Sequence, residues 1–355
     1  MLQPLTTQLV GSYTKPDWLI CHHNVTTPYG DSTFWRPEPD VLEQAKDDAT
    51  RLAIFDQERA GIDVLTDGEQ RRHRYDSYFL RFNGVDNVNL GIWSMENRHM
   101  DFIDMDEAIQ KRLNDAWAPR VVGEISWPGP MALSDLQFLR RHTAGATKMT
   151  VIGPLTAACR MVNEYYQDEE ALGMALAKAI NQELRSLDHE GVDLIQLDEP
   201  DFHFRPDQAK KWGVRALDIA FKNVLTKKIV HCCYGYAMVG SKKVDSTYKG
   251  ILEVIAQSKA DQISIEYEQP GHTPEILENL GEKIIVLGVL NLGSKEIEPV
   301  EHITHRIYEA LEVVPLDRLH LAPDCGMWFV PRDIAFGKIQ NMVLAARQVR
   351  RRFGI

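Results

Sequence analysis

The chain lacks most of what a secreted, membrane-spanning or polyanion-binding protein needs. Cysteine is scarce, with five in 355 residues, an odd and sparse set that does not describe a disulfide framework. No apolar stretch approaches the roughly 20 residues needed to cross a bilayer, and the N-terminus has no basic, apolar, small-residue signal layout. Basic excess is missing too. Lys and Arg number 40 against 51 Asp and Glu, so a net charge of -11 offers no general positive field to nucleic acid or anionic lipid. The local exception, Arg347 to Arg352, reads as a helix C-terminus whose cations oppose the negative dipole end. A cytoplasmic protein is expected, with no nucleic acid and no membrane among its partners. In that reducing compartment, clustered thiols serve as ligands or reactive groups.

What is present is a rhythm. With 44% hydrophobic residues the chain can bury a large core. Short β-rich runs alternate with longer amphipathic stretches. Strands are expected over Thr6–Ser12, Ile62–Thr66, Met149–Gly153, Asp193–Asp198, Lys228–Cys233, Gln262–Glu266, Ile284–Val289 and Leu319–Asp324. Helical patterns fall over Asp40–Ala60, with Pro39 ahead and Gly61 closing it, and over Glu169–His189, Asp207–Val224, Tyr248–Gln257, Thr273–Leu280, Pro299–Leu311 and Pro331–Arg352. Strands followed by helices in this number predict an α/β fold, the (β/α)₈ TIM barrel, as one catalytic domain over residues 1–355. A doubly wound open sheet is the alternative. Residues 70–148 break the rhythm: polar, aromatic and asparagine-rich, with Trp93, Trp117 and Trp127, they read as an insertion after the second strand, made of hairpin and helical pieces over one mouth.

Ser12, Glu69, Asp198, His231, Cys233, Glu266 and Cys325 all fall at or just after expected strand ends, which in a barrel converge on the catalytic mouth. His231 and Cys233 are two apart and share one side of a strand, while Cys232 points away as a small packed hydrophobe. Glu266 and Cys325 arrive at the corresponding point of later strands. Two sulfurs, an imidazole and a carboxylate favour Zn²⁺ over the oxygen-seeking Mg²⁺ or Ca²⁺. The carboxylate is a ligand that an incoming thiol can replace, which suggests thiol activation instead of a structural clip.

Seven motifs carry a resemblance to a known family: Leu9-Val10-Gly11-Ser12-Tyr13, Asp67-Gly68-Glu69, Gly153-Pro154-Leu155-Thr156, Ile195-Gln196-Leu197-Asp198-Glu199-Pro200, His231-Cys232-Cys233-Tyr234, Ile263-Ser264-Ile265-Glu266 and Pro323-Asp324-Cys325-Gly326. In this order they resemble the catalytic, C-terminal barrel of cobalamin-independent methionine synthase, in a short form with room for that barrel alone. The resemblance implies that His231, Cys233, Glu266 and Cys325 hold zinc, and that Ser12, Glu69 and Asp198 hold the amino-acid end of homocysteine. Two carboxylates suit an ammonium, and a hydroxyl with backbone N–H groups suits a carboxylate. The departures concern the methyl donor. Arg160 stands where folate-using members have a pterin-stacking tryptophan, and Asn291 and Gly293 stand where they have an aspartate and a histidine for proton delivery.

The expected activity is therefore a zinc-dependent homocysteine S-methyltransferase whose donor is not free methyl-folate but methylcobalamin, a corrinoid protein or another partner-supplied methyl group. An epoxyalkane:coenzyme M transferase-like thiol alkylation is the alternative within the same chemistry, though a sulfonate acceptor would need cations where Glu69 and Asp198 stand. A metal-free uroporphyrinogen decarboxylase-like lyase is the alternative from another class. His73, His203 and His272 read as solvated loop residues. His22 and His23 are candidates to replace the proton donor absent at Gly293. Arg71, Arg72, Arg74 and Arg160 read as a surface charge run.

Overall fold

In a computed structural model, residues 2–21, 34–92, 117–235, 247–248 and 250–355 are described. His22, His23 and Trp93 lie outside them. Seven parallel strands form one curled sheet: β1 (Val64–Leu65), β4 (Ala146–Ile152), β6 (Leu194–Asp198), β7 (Lys227–Cys232), β8 (Gln262–Ile265), β9 (Ile284–Gly288) and β10 (Leu319–Ala322), neighbours in that order. Three further strands, β2 (Asn83–Ile92), β3 (Trp117–Ser126) and β5 (Val162–Asn163), make a separate small sheet.

The ring closes through the N-terminal segment. Thr7 bridges Leu321 and Gln8 bridges Val64, both in parallel. Leu321 N donates to Thr6 O at 2.9 Å, and Val64 N to Thr7 O at 3.1 Å. Eight strand segments thus circle the axis, and the expected (β/α)₈ architecture stands. Among the described residues, the strand expected over Thr6–Ser12 bridges its neighbours at Thr7 and Gln8, where the Asp63 carboxylate also takes the Thr7 amide at 2.8 Å and its hydroxyl at 2.9 Å. Arg350 completes that corner, reaching Asp63 Oδ2 at 2.7 Å from the C-terminal helix, so part of the basic terminal run ties the first and last elements together.

Outer helices follow the expected pattern. Helix Leu42–Ala60 stops at Gly61, whose φ of 85° only glycine adopts readily. Helix Glu169–Glu190 starts where Asp168 accepts from Ala171 N at 2.7 Å. The helix expected over Asp207–Val224 is broken. A π-wound turn, Ala209–Gly213, precedes Val214–Ala220, and its added residue brings Trp212, 2% exposed, into the core.

Residues 70–148 hold a 3₁₀ turn at Ser77–Arg81, the antiparallel pair β2 and β3, and helix Leu133–His142 before β4 begins. β5 pairs with β3 after the chain has left the C-terminal end of β4, so the small sheet is attached on the C-terminal side of the barrel. Buried Glu183 anchors the far end of this segment, accepting from Ala132 N at 2.8 Å and Trp127 Nε1 at 2.6 Å.

Inside the ring, strand alternation puts every second residue inward. Val64, Leu194 and Ile229 form one small apolar cluster, and Val10, Val286 and Ala322 another, both separate from the main core between strands and helices. Continuing each strand's parity toward its C-terminal end places Ser12, Asp198, His231, Cys233 and Glu266 on the same inner side.

Candidate metal and substrate site

His231 lies at the end of β7 and Cys233 just follows that strand; Cys325 follows β10, three strands further round the ring. One ligand atom from each lies within 4.8 Å of the others, and all three residues are buried. A tetrahedral zinc centre with bonds near 2.0–2.3 Å keeps its ligand atoms roughly 3.5–4 Å apart. The group therefore fits such an ion after small side-chain adjustments, and its soft donors match the metal. Ser264, on β8, lies 2.9 Å from His231 Nδ1, which turns Nε2 toward the group. Cys232 points the other way, fully buried, and its carbonyl accepts from Tyr248 at 2.9 Å.

Glu266 stands apart from that close group of three. It is fully buried, and its Oε1 accepts from Tyr234 N at 2.9 Å, so its carboxylate is drawn toward the backbone beside Cys233. Tyr248 sets its main chain, since the same hydroxyl that donates to Cys232 accepts from Glu266 N at 2.9 Å. Asp324, next to Cys325, accepts from Tyr267 N at 3.1 Å and Glu268 N at 3.0 Å and so holds the loop that follows Glu266. Its carboxyl is pushed up to about 8 by burial and by nearby Glu266, against the pull of these backbone donors.

Ser12, Glu69 and Asp198 are all buried, and Glu69 lies near enough to Asp198 for its charge to act on that carboxyl. Ser12 is placed against the metal side, its carbonyl accepting from Met327 N at 3.0 Å. Glu69 has the positive φ of 56°, and its Oε1 accepts from Thr150 Oγ1 at 2.7 Å with Arg72 Nη1 at 3.4 Å. Asp198 Oδ1 accepts from Gln196 Nε2 at 2.7 Å. Burial, then the nearby Glu69 charge, raises the Asp198 carboxyl to about 7, while Gln196 and Lys148 pull it down. Burial likewise raises Glu69, opposed by Arg72.

Several participants escape a linear reading. Arg72 is 3% exposed, bonded to Thr150 Oγ1 at 2.9 Å and stacked over Tyr78 at 4.4 Å, so it belongs with Glu69 and not to a surface run. Its position three residues after Glu69 was the available signal. Lys15 donates to the Glu69 carbonyl, and burial pulls its ammonium down to about 7 against the opposing charges of Glu69 and Asp67. Lys148 is fully enclosed and is likewise pulled down to about 7 by burial. Arg71 pairs with Asp47 and Glu43, Arg74 with Asp76 at 3.2 Å, and Arg160 with Asp201 at 3.1 Å. The histidines differ from expectation as well. His203 is 7% exposed and packs edge-on against Tyr234 at 4.5 Å; His272 Nε2 lies 2.8 Å from the Tyr234 hydroxyl; His73 packs on Phe34 at 4.0 Å. Aromatic neighbours claim them, which loop position alone does not reveal.

A family model described as cobalamin-independent synthase, catalytic domain, matches residues 7–348. A methionine synthase of Sulfolobus acidocaldarius is 30% identical over 352 residues, spanning 98% of this chain and 92% of its own. One from Pyrococcus horikoshii is 30% identical over 98% of this chain and 93% of its own. Among solved structures, a B12-independent methionine synthase from Shewanella sp. W3-18-1, in complex with selenomethionine, superposes with a TM-score of 0.84 at 29% identity over 99% of both chains. A Listeria monocytogenes protein described as a B12-independent methionine synthase shares the fold, with a TM-score of 0.73 at 20% identity over 98% of this chain and 99% of its own.

Proposed function

The chain belongs to the cobalamin-independent methionine synthase family, represented by its catalytic domain, and from that premise we propose that it is a zinc-dependent methyltransferase carrying a methyl group to the sulfur of homocysteine. The observation that carries this reading is the buried group of His231, Cys233 and Cys325, whose ligand atoms lie within 4.8 Å of one another. The family membership replaces a decarboxylating lyase. Residues 1–355 are read as one catalytic barrel with the 70–148 insertion. No helix among the described residues is long and apolar enough to cross a membrane, and the cytoplasm is the proposed location.

His231, Cys233 and Cys325 would hold the zinc ion, and Glu266 would supply the fourth ligand. Bound there, zinc supplies Lewis acidity that lowers the pKa of an arriving thiol, so that sulfur reacts as thiolate at neutral pH. The chain's own work is placement. Glu69 and Asp198 grip the homocysteine ammonium, and Ser12 with neighbouring backbone amides receives its carboxylate. These contacts fix the sulfur at the metal side and align it for in-line attack on a methyl carbon, converting an encounter into a held geometry. Glu69 and Asp198 also disfavour a sulfonate acceptor, whose negative charge they would repel.

On the donor side, Arg160 is committed to Asp201 at 3.1 Å, and the Asn291 side chain accepts from Gly293 N at 2.8 Å. Neither Asn291 nor Gly293 offers an acid to protonate a folate amine as it leaves. A corrinoid-borne methyl group, from methylcobalamin or a corrinoid protein, or another partner-supplied methyl group needs no such acid. The test is to supply zinc-loaded protein and homocysteine with methylcobalamin or with methyl-folate, separately, and to measure methionine. Methionine from the corrinoid alone is expected. Comparable turnover with free methyl-folate overturns the donor reading, and full activity in a metal-free Cys325→Ser variant overturns the zinc reading.

A further inference from the structure

Asp198 is aimed by a chain of hydrogen bonds that starts at a buried cation. Lys148 Nζ donates to Gln196 Oε1 at 2.9 Å, and Gln196 Nε2 donates to Asp198 Oδ1 at 2.7 Å. An amide has one accepting end and one donating end, and an ammonium can only donate. Lys148 therefore claims the oxygen of Gln196 and turns its nitrogen toward the carboxylate. The cation is held on its other sides by Gln8 Oε1 at 2.8 Å and by the Leu9 carbonyl. Residues from three barrel segments, at 8–9, in β4 and in β6, converge on one ammonium below the mouth.

A cation is an uncommon filling for a barrel interior, where branched aliphatic residues dominate. Burying an ammonium costs more than burying a methyl group of the same reach unless every donor is satisfied. The layer beneath shows the apolar solution, with Val64, Leu194 and Ile229 in contact. Packing alone gives no reason for Lys148. Its effect on the Gln196 amide does.

We propose that Lys148 is a positioning residue for substrate recognition: acting through Gln196, it fixes Asp198 so that Oδ1 is committed and Oδ2 meets the ammonium of homocysteine. This rests on the reading of Asp198 as the partner of that ammonium, and the test separates the two. Zinc-loaded, full-length protein is titrated calorimetrically with homocysteine and with 4-mercaptobutanoate, which is homocysteine without its amino group. In Lys148→Met, homocysteine binding is expected to weaken about tenfold while 4-mercaptobutanoate binding stays within about twofold. Gln196→Met gives the same loss, and the double variant loses no more than either single one, because the two act in series.

Asp198→Asn is the reference. If it retains the preference for homocysteine, the reading of Asp198 itself fails. If it loses the preference and Lys148→Met keeps it, or if Lys148→Met weakens both ligands alike, the relay fails. Should Lys148→Met not fold, Gln196→Glu carries the test. Lys148 holds the new carboxylate, whose other oxygen now faces Asp198 as an acceptor, and the preference must fall; a preference retained there overturns the proposal.

Discussion

Gly11 approaches Glu69 so closely that a β-carbon at position 11 would lie 2.5 Å from Glu69 Oε1 and 2.9 Å from the Thr150 methyl. The glycine makes room for the carboxylate on the first barrel segment, and Thr150 fixes it from β4 at 2.7 Å. Gly11→Ala should therefore displace Glu69 and raise the KM for homocysteine at least about tenfold while kcat at saturation changes less, since the lost contact is to a remote part of the substrate. Steady-state kinetics against homocysteine checks this. An unchanged KM would show that Glu69 does not touch the substrate's amino end.

Strand order and the mouth were legible because each of the segments ending near Asp198, His231, Glu266 and Cys325 is a short apolar run closed by a polar residue. His231 and Cys233 share the inward parity of β7, whereas Cys325, one residue past the inward position that Ala322 sets for Asp324, is brought to them by the turn after β10. Glu266 shares that parity, yet its place outside the close group depends on Tyr234 N, a backbone contact from another loop that no spacing encodes. Arg72 and Lys148 were illegible for a related reason. A cation in a polar run or at a strand start looks solvated until residues such as Thr150, Gln8 and Gln196, far away in sequence, are seen to enclose it. His203 and His272 fail the linear reading in the same way, because their aromatic neighbours come from the segment around Tyr234 and Tyr248.

His320 gives the barrel a defined sensitivity to acid. It is 2% exposed in β10, and burial, with Arg350 adding to it and Asp63 opposing, pulls its pKa down to about 4. The unfolded imidazole titrates near 6.5. Between these values the unfolded chain binds more protons, so the stability held above pH 6.5 is lost as pH falls through about 4. Urea unfolding at pH 7 and pH 4 should show the wild type losing up to about 3 kcal/mol more than His320→Gln over that interval. Equal losses would mean that His320 is not buried in its neutral form.

Lys338 is fully buried in the last helix, with Nζ 2.8 Å from Glu298 Oε1 and 2.9 Å from both Glu298 Oε2 and the Asn291 carbonyl. Glu298 in turn accepts from Asn291 N at 2.8 Å, so the pair holds the loop after β9. Lys338→Met leaves a buried carboxylate without its cation and should cost about 3–5 kcal/mol in denaturant unfolding. Adding Glu298→Gln removes that charge and should restore part of the loss. A double variant less stable than Lys338→Met would show that Glu298 is held by the loop and not by Lys338.

Ser264 sits 2.9 Å from His231 Nδ1 and so sets which ring nitrogen faces Cys233 and Cys325. Outer hydrogen bonds of this kind typically account for 10–100-fold in metal affinity. Ser264→Ala should keep the fold and lower zinc affinity by about that factor, measured by competition with a chromophoric chelator. Cys232→Ala is the matched comparison. It removes a thiol directly adjacent in sequence to both His231 and Cys233, but Cys232 packs outward and its carbonyl is the group that Tyr248 uses. Zinc affinity in Cys232→Ala should stay within about twofold of wild type, well short of the Ser264→Ala loss. The reverse ranking would place Cys232 in the metal group and Ser264 outside it, contrary to the strand parity that organises the mouth.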